Sequence, residues 1–333
     1  MDGIPIALFG DTGRVGRHIS RVLENHDKVS VAYRQNSTRT EGTIDGCVLA
    51  FLATEDKESM EFAPMLLSKG IRVIDASGAF RITKEDFEKW YKLRHTCPEL
   101  IEEAVYGIPA YFREDIANAR LVANPGCYPT SVILALRPLR DLLQGTAFIK
   151  ATSGNSGAED KVEGESNEIT YSYGTKHKHV PEMKRYSGFF LRFTPVVLKN
   201  VYAGINANID VELSDELKNL PGEDAVEKLE QKIISAYGPE DLVFVVRDPK
   251  EIIKDERGRD KQVKWGTREV VNTHRCIIKV MGVDEGFVSI CSMLDNLGKG
   301  AASQAVENMN LMLGLPRLYG IHPVYSTEPL ILK

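Results

Sequence analysis

The sequence predicts an α/β protein with two domains, one built on a doubly wound parallel sheet and one of α+β type with a largely antiparallel sheet. Three observations lead to this prediction. The 333 residues exceed the roughly 100–200 residues of a single domain. Short apolar strands alternate with helical segments in the first third of the chain, as in a parallel sheet. Later segments alternate apolar and polar residues with period two, as in antiparallel strands that bury one face.

The first domain is predicted from short apolar runs that alternate with segments of helical spacing. The predicted strands are Ile4–Phe9, Val29–Tyr33, Cys47–Ala53, Ile71–Asp75 and Leu121–Ala123. The predicted helices follow the first strand, cover about Glu58–Lys69 with a stop at Gly70, and run from Ser131 to about Leu143. Strands and helices in this order indicate right-handed crossovers onto a parallel sheet.

The second domain is predicted from the period-two segments Ile205–Leu213, Cys276–Val283 and Phe287–Met293. One face of this sheet should be wet or covered by a partner, so we expect a homodimer or homotetramer. The charged stretch Lys250–Lys264 is most simply a solvated loop. A last helix over Gly300–Leu313 should return to the first domain. We therefore expect domains of residues 1–130 plus 296–333, and 131–295.

Composition and charge exclude several classes of protein. The 42 Lys and Arg against 47 Asp and Glu leave a net charge of −5, which gives no field for nucleic acid or anionic lipid. No apolar run approaches the roughly 18–20 residues of a membrane span, and the start lacks a signal-peptide pattern, so we expect a cytoplasmic protein. Five cysteines without a Cys-x-x-Cys pair argue against disulfides and against a metal site.

A glycine-rich turn, Gly10-Asp-Thr12-Gly13-Arg14-Val15-Gly16, lies between the first strand and the first helix. Missing side chains there let the backbone approach a diphosphate, and the helix N-terminus faces its negative charge. These residues are candidate cofactor ligands that make the domain Rossmann-like. A purely structural turn is the alternative interpretation.

The end of the second strand carries no acidic residue that could accept hydrogen bonds from the ribose of NAD. Arg34 stands there instead, and its guanidinium could pair with a 2′-phosphate. The sequence therefore favours NADP(H). An arginine that merely ends a surface strand is the other interpretation.

Cys127 lies in Asn124-Pro-Gly-Cys-Tyr-Pro129, where a strand gives way to a helix. Pro129 suits the first turn of a helix, and the helix N-terminus should lower the pKa of the thiol. A tight turn at the carboxyl edge of a parallel sheet is where such folds bind ligands, so Cys127 is a candidate nucleophile. A buried, inert cysteine is the general alternative.

Two histidines, His177 and His179, stand two residues apart and are flanked by lysines. A metal site would need further ligands, so general acid catalysis by one of them is the better interpretation, against an ordinary surface loop. Upstream, Ser153-Gly154-Asn-Ser-Gly157 offers hydroxyls and N–H groups that suit an anion or oxyanion pocket, although the segment alone equally describes a loop.

Taken together, several segments resemble the N-acetyl-gamma-glutamyl-phosphate reductase family, within the aspartate-semialdehyde dehydrogenase-like group. The resemblance covers most of the chain, and the Cys127 and His177 segments are its specific parts. It is carried by Gly10–Gly16, Pro98–Leu100, Glu103–Pro109, Leu121–Thr130, His177–Glu182 and Asp295–Ala302.

The resemblance implies reduction of an acyl phosphate to an aldehyde by NADPH, with release of inorganic phosphate. Cys127 would form a thioester, and His177 or His179 would exchange a proton with the alkoxide that follows. Asn296 and Ser77 should lie near the cofactor. Candidate substrate contacts are Asn124, Ser153, Gly154 and Glu182.

The chain departs from the family pattern where substrate should be held. The affected segments are Ala76–Arg81, which lacks an acidic residue, Ala158–Asp160 and Val196–Asn200. These changes spare the nucleophile, so a related acyl phosphate, such as an aminoadipyl type, is an alternative substrate. A non-catalytic NADP-binding sensor is a further alternative, which Cys127 and the histidines argue against.

Overall fold

A computed structural model describes residues 3–157, 167–238, 241–247, 253–254, 260–261, 265–321 and 331–332. Its described residues form two compact units. The first comprises 3–130, 177–185 and 296–321. The second comprises the described residues of 131–176, 186–295 and 331–332. In both, the hydrogen-bonding needs of an extended backbone are met by a central sheet.

The first unit contains a seven-stranded sheet with the order β3-β2-β1-β4-β5-β7-β6, parallel except for the edge strand β3. The strands are β1 (Ile4–Phe9), β2 (Val29–Gln35), β3 (Thr40–Gly42), β4 (Leu49–Leu52), β5 (Arg72–Asp75), β6 (Val105–Tyr106) and β7 (Leu121–Ala123). The helices are α1 (Arg14–Leu23), α2 (Asp56–Ser68), α3 (Lys84–Tyr91), α4 (Glu99–Glu103), α5 (Pro109–Asn118) and α10 (Ser303–Met312). Helix α6 (Cys127–Leu136) begins in this unit.

The second unit contains an eight-stranded sheet with the order β17-β12-β15-β16-β11-β8-β10-β9. Most of its neighbouring strands are antiparallel, while β8 with β10 and β12 with β15 are parallel. The strands are β8 (Leu143–Gly154), β9 (Glu168–Thr170), β10 (Phe190–Leu198), β11 (Ile205–Leu213), β12 (Val243–Val246), β15 (Cys276–Asp284), β16 (Phe287–Leu294) and β17 (Ile331–Leu332). A two-stranded ribbon, β13 (Ile253–Lys254) and β14 (Asp260–Lys261), stands apart. The helices are α8 (Asp215–Lys218) and α9 (Gly222–Tyr237), and α7 (Val180–Ser187) ends here.

The predicted fold class is confirmed, because one sheet is mostly parallel and the other mostly antiparallel. The predicted strands Ile4–Phe9 and Leu121–Ala123 match the observed ones residue for residue. Continuous burial explains this agreement, since the last four residues of β1 and all three of β7 are buried. A strand covered on both faces reads as an unbroken apolar run.

The predicted helix from Ser131 to Leu143 was wrong at both ends. The helix starts at Cys127 and ends at Leu136, before a 3₁₀ turn over Arg137–Leu139. Pro138 lacks an N–H donor and disfavours helical geometry in the residue before it, which explains the early end. Leu143 already belongs to a strand.

The charged stretch Lys250–Lys264 is not entirely a loop, because residues 253–254 and 260–261 pair as an antiparallel ribbon. Its other residues lie outside the described ones, as do Ala158–Asp160 and residues 322–330 of the predicted 296–333 segment. Residues 331–332 of that segment pair with β12 in the second unit, not with the first. The predicted last helix is split into a π-helical turn, Gly298–Ala302, and the α-helix Ser303–Met312. Both belong to the first unit.

Candidate active site

Backbone packing explains the glycines of the Gly10–Gly16 turn. Gly10 has a φ of +76°, and a β-carbon there would meet the carbonyl of Ala53 well inside 3.0 Å. A β-carbon on Gly16 would collide with the carbonyl of Gly10. Gly13 is the N-cap of α1, and no side chain among the described residues caps this helix. The turn therefore brings bare backbone to a helix N-terminus, which suits a diphosphate.

The other candidate residues of this turn differ in exposure. Thr12 is exposed, whereas Arg14 and Val15 at the start of α1 are half-buried. The first turn of α1 carries no acidic residue that would repel an anion. The residues present thus fit the diphosphate of a dinucleotide.

Two arginines, Arg34 near the end of β2 and Arg39 after it, contact α1 and the glycine-rich turn, respectively. Nη1 of Arg34 donates to Oγ of Ser20 at 3.1 Å. Nη2 of Arg39 lies 2.6 Å from Oδ2 of Asp11, and Asn36 donates to Oδ1 of the same carboxylate at 2.8 Å. Burial opposes ionisation of Asp11, but the bonds from Asn36 and Arg39 hold its pKa below the usual range. A sequence reading of the strand end alone missed both Asp11 and Arg39.

Ser77 follows the carboxyl end of β5 and is bound to Asp75. Its N–H donates to Oδ1 of Asp75 at 3.2 Å, and its hydroxyl donates to Oδ2 at 2.8 Å. Burial raises the pKa of Asp75 to about 6, against the opposing effects of Ser59, Ser77 and Arg81. Asn296 is buried where the chain leaves β16 for the π-helical turn.

Cys127 is the first residue of α6 and follows the turn after β7. It is the one cysteine among the described residues that is not buried. Desolvation by the surrounding protein raises the pKa of its thiol to about 11, against the N–H of Tyr128 and the charge of Arg81. The predicted lowering of the thiol pKa was therefore wrong: the helix N-terminus acts in the expected direction, but desolvation outweighs it.

Glu182 binds the peptide that precedes Cys127. Its Oε1 accepts the N–H of Gly126 at 2.9 Å and the hydroxyl of Tyr106 at 2.8 Å. Its Oε2 lies 3.9 Å from Nη1 of Arg81. The side chain is only 1% exposed, so its contacts are with the protein rather than with solvent.

The two histidines lie together, and His179 lies beside the turn that precedes Cys127. Their ring centroids are 4.8 Å apart, and both rings pack edge-on against Tyr128. Nδ1 of His177 accepts the backbone N–H of His179 at 3.1 Å, so the proton of a neutral His177 ring is on Nε2.

The ring of His179 lies close to Gly126, the residue before Cys127. A β-carbon on Gly126 would lie 3.0 Å from Nε2 of His179 and 3.2 Å from Nη1 of Arg81. Burial lowers the pKa of His179 well below its usual range, and the charges of His177, Lys178 and Arg81 add to this effect. His179 is therefore a neutral base next to residue 126.

Asn124 has a fully buried side chain that is paired at both ends. Its Nδ2 donates to the carbonyl of Ala301 at 3.2 Å, and its Oδ1 accepts from Asn308 at 3.1 Å. Arg81 in turn donates to the carbonyl of Asn124 at 2.8 Å. These contacts give Asn124 the task of holding the turn before Cys127.

Ser153 and Gly154 end β8 in the second unit. The hydroxyl of Ser153 is buried and donates to the carbonyl of Gly154 at 3.0 Å. A β-carbon on Gly154 would collide with the backbone of Tyr202 and Ala203, so only glycine fits. Both are register partners of β10, where Val197 faces Ser153 and Leu198 faces Gly154. The divergent segment Val196–Asn200 thus pairs, through residues 196–198, with the end of β8.

Sequence reasoning did not single out Arg81, Tyr106 or Asn308 as parts of the site. Tyr106 occurs in Glu103–Pro109, which carries the family resemblance, and this was the available signal for it. Arg81 ends Ala76–Arg81, a segment that departs from the family pattern. Asn308 lies on a helix 184 residues from Asn124, and no local pattern indicates that contact.

Two searches of the described residues complete this description. No helix in the described part of the chain is long and apolar enough to cross a membrane. Within the same residues, no group of three or more His, Cys, Asp or Glu side chains could hold a metal ion.

Comparison with protein families gives two matches. Residues 127–296 match the family described as "Semialdehyde dehydrogenase, dimerisation domain". Residues 37–119 match the family described as "Semialdehyde dehydrogenase, NAD binding domain".

Individual relatives cover nearly the whole chain. The N-acetyl-gamma-glutamyl-phosphate reductase of Dehalococcoides mccartyi is 35% identical, over 94% of this chain and 96% of its own. The protein of the same name from Thermus thermophilus is 36% identical, over 93% and 96%. The crystal structure of aspartate semialdehyde dehydrogenase II from Vibrio cholerae superposes with a TM-score of 0.68 at 17% identity, over 94% and 99%, and so shares the fold.

Proposed function

The chain belongs to the N-acetyl-gamma-glutamyl-phosphate reductase family of semialdehyde dehydrogenases, and we propose that it makes N-acetylglutamate semialdehyde and phosphate from N-acetyl-gamma-glutamyl phosphate. NADPH is the reductant, and the reaction is a step of arginine biosynthesis. The observation that carries the proposal is the position of Cys127 at the start of α6, beside a turn that His179 and Arg81 contact. A cysteine nucleophile with an adjacent base is what thioester chemistry needs.

The first step is acylation of Cys127. Because burial raises the pKa of the thiol to about 11, a base must take its proton. We assign this task to His179, whose ring is neutral and whose Nε2 faces Gly126. The thiolate then attacks the acyl carbon, the carbon–sulfur bond forms, and phosphate leaves. Arg81, on the same side of Gly126, favours the thiolate electrostatically.

The second step is reduction of the thioester. When bound, the nicotinamide supplies the hydride. The alkoxide that results needs a hydrogen-bond donor, and His177 offers its Nε2–H because its Nδ1 is occupied by the backbone. Collapse of the alkoxide breaks the carbon–sulfur bond, releases the aldehyde and returns Cys127 as a thiolate. His179 then gives back the proton that it took from the thiol.

Cofactor binding is assigned to the glycine-rich turn and to the end of β2. Gly10, Gly13 and Gly16 leave the backbone bare at the uncapped start of α1, which fits a diphosphate. Arg34, and with it Arg39, supplies positive charge where a 2′-phosphate would distinguish NADP from NAD. Ser77 and Asn296 remain candidates for contacts to the nicotinamide half.

Substrate contacts are assigned to Ser153 and Gly154. Asn124 and Glu182 instead hold residues 124–126 before Cys127, the nucleophile turn. The segment Val196–Asn200, which departs from the family pattern, is paired with the strand end that carries Ser153 and Gly154. That observation keeps a related acyl phosphate, of aminoadipyl type, as the second candidate substrate.

Association into a homo-oligomer is the further part of this proposal. Phe148 is 49% exposed and Phe190 71% exposed, on neighbouring strands of the second sheet. Large exposed aromatic side chains on one sheet face are typical of an interface, and the matched family is described as a dimerisation domain.

Light scattering after size exclusion should give at least a dimer, and Phe148→Lys should weaken it. A wild-type monomer at micromolar concentration would refute this part. A cytoplasmic location stays a prediction.

The experiment that tests the reaction is phosphate-dependent reduction of NADP with N-acetylglutamate semialdehyde. We expect robust activity, no activity in Cys127→Ala, and a lower rate with NAD. Aminoadipate-type semialdehyde serves as the second substrate. A folded protein that binds NADP and reduces it only with the second substrate would overturn the substrate assignment and retain the reaction type.

A further inference from the structure

Glu182 is placed to act on Cys127 through the intervening backbone. Its Oε1 accepts the N–H of Gly126 at 2.9 Å, and Gly126 is joined directly to the nucleophile. The same oxygen accepts the hydroxyl of Tyr106 at 2.8 Å. At 1% exposure this carboxylate is closed to solvent, and its Oε1 already accepts from two protein donors, whereas Oε2 has no hydrogen-bond donor among the described residues.

The second oxygen of Glu182 faces a cation that also contacts the nucleophile turn. Oε2 lies 3.9 Å from Nη1 of Arg81, and Nη1 would be 3.2 Å from a β-carbon on Gly126. Nε of Arg81 donates to the carbonyl of Asn124 at 2.8 Å. Glu182 and Arg81 therefore hold the same turn from its N–H and carbonyl sides, with opposite charges.

We propose that Glu182 is the positioning residue of the nucleophile turn, binding the Gly126 amide and opposing the Arg81 charge next to Gly126. This inference rests on the proposed role of Cys127 as the nucleophile. It assigns Glu182 a task within the protein, rather than the substrate contact that its place in the His177–Glu182 segment suggested.

The charges around the thiol give this role a measurable consequence. Arg81 lowers the pKa of Cys127 and Glu182 raises it, both as smaller effects than desolvation. The ionisable groups in contact with this cluster, or acting on it electrostatically, are Asp75, Tyr91, Tyr106, His177, Lys178 and His179. Removing only the negative charge of Glu182 takes away one of the charges that oppose Arg81 and one that raises the pKa of Cys127, which favours the thiolate.

The test is the pH dependence of Cys127 alkylation by iodoacetamide, followed by mass spectrometry at residue 127. Glu182→Gln keeps an oxygen that can accept from Gly126 and Tyr106 but removes the charge. We expect the midpoint of the profile to fall by about one pH unit. We also expect kcat to fall with little change in KM. Tyr106→Phe is the matched control, because it removes one hydrogen bond and keeps the charge, so its midpoint should stay at the wild-type value.

Two results would overturn the proposal. One is an unchanged alkylation midpoint in Glu182→Gln together with a raised KM and an unchanged kcat, as for a substrate ligand. The other needs no variant: hydrogen exchange of the Gly126 amide in the wild-type protein as fast as that of exposed loops. Slow exchange of this amide is the expected result, so the proposal remains testable even if the variant fails to fold.

The alkylation and exchange measurements do not depend on turnover. If the protein proves inactive with every acyl phosphate while the midpoint shifts as expected, the proposed function fails and the role of Glu182 stands. If the wild-type protein is active but Glu182→Gln has an unshifted alkylation midpoint and a raised KM, the proposed function stands and the role of Glu182 fails.

Discussion

The side-chain amide of Asn308 donates a hydrogen bond to Oδ1 of Asn124 at 3.1 Å, across 184 residues of sequence. The same Nδ2 donates to the carbonyl of Gly107 at 3.0 Å. Nearby on α10, Gln304 donates to the hydroxyl of Thr130 at 3.1 Å. The last helix thus binds the chain on both sides of Cys127, and all of these side chains are buried.

Replacing Asn308 by alanine should destabilise the protein and slow catalysis. The change leaves Oδ1 of Asn124 and the carbonyl of Gly107 without this donor in the core, which costs about 1–3 kcal/mol. The measurements are the free energy of unfolding in urea and kcat. Asn118→Ala is the control, because Asn118 is exposed and its amide binds only a carbonyl of its own helix. Equal effects of the two substitutions would contradict the structural role of Asn308.

Replacing His177 or His179 by asparagine should slow a different step of the reaction in each variant. His179→Asn removes the neutral base beside Gly126, so the rapid release of phosphate from acyl phosphate should be lost. His177→Asn should keep phosphate release and slow the oxidation of NADPH, because the alkoxide loses a donor. Losses of about 10²–10⁴-fold are typical for a general base. Rapid-quench measurement of phosphate beside NADPH absorbance separates the steps, and an identical pattern in both variants would refute this division of roles.

Arg34 should determine the preference for NADP over NAD. Arg34→Ala removes a charged partner for the 2′-phosphate, so KM for NADPH should rise about tenfold while KM for NADH stays constant. Arg39→Ala should have a smaller effect, since Arg39 is already paired with Asp11 and Glu41. Arg21→Ala, on the exposed side of α1, is the control. A parallel rise of both KM values in Arg34→Ala would mean that Arg34 does not contact the 2′-phosphate.

Asp75 should make stability depend on pH in an unusual direction for a carboxyl group. Its pKa is raised to about 6 in the folded protein, against about 3.9 in an unfolded chain. The folded state therefore binds more protons than the unfolded state between pH 4 and 6. The contribution of Asp75 to the free energy of unfolding is fully present below pH 4 and is lost as the pH rises through 6. The unfolding free energy of the wild type minus that of Asp75→Asn should fall as the pH rises from 4 to 6. A difference that is constant with pH would show that the pKa of Asp75 is not raised.

Local patterns were sufficient for most elements of the first unit. Strands such as Ile4–Phe9 are unbroken apolar runs, and the turn after the first of them has glycines wherever backbone approaches backbone. The helix that begins at Cys127 could be placed only approximately. Its start depends on a turn held by Glu182 and Arg81, and its end depends on Pro138 within an otherwise apolar segment.

The sequence by itself determined the fold class, the cofactor turn and the place of the candidate nucleophile after a strand, because each follows from neighbours within a few residues. Only the tertiary structure decided the state of the thiol and the partners of Glu182 and Asn124. The hydrogen bonds of these side chains join residues 56 to 184 positions apart in the sequence, and the desolvation of Cys127 comes from its burial in the fold. Burial and long-range pairing depend on residues throughout the fold, so the spacing of neighbouring residues does not predict them.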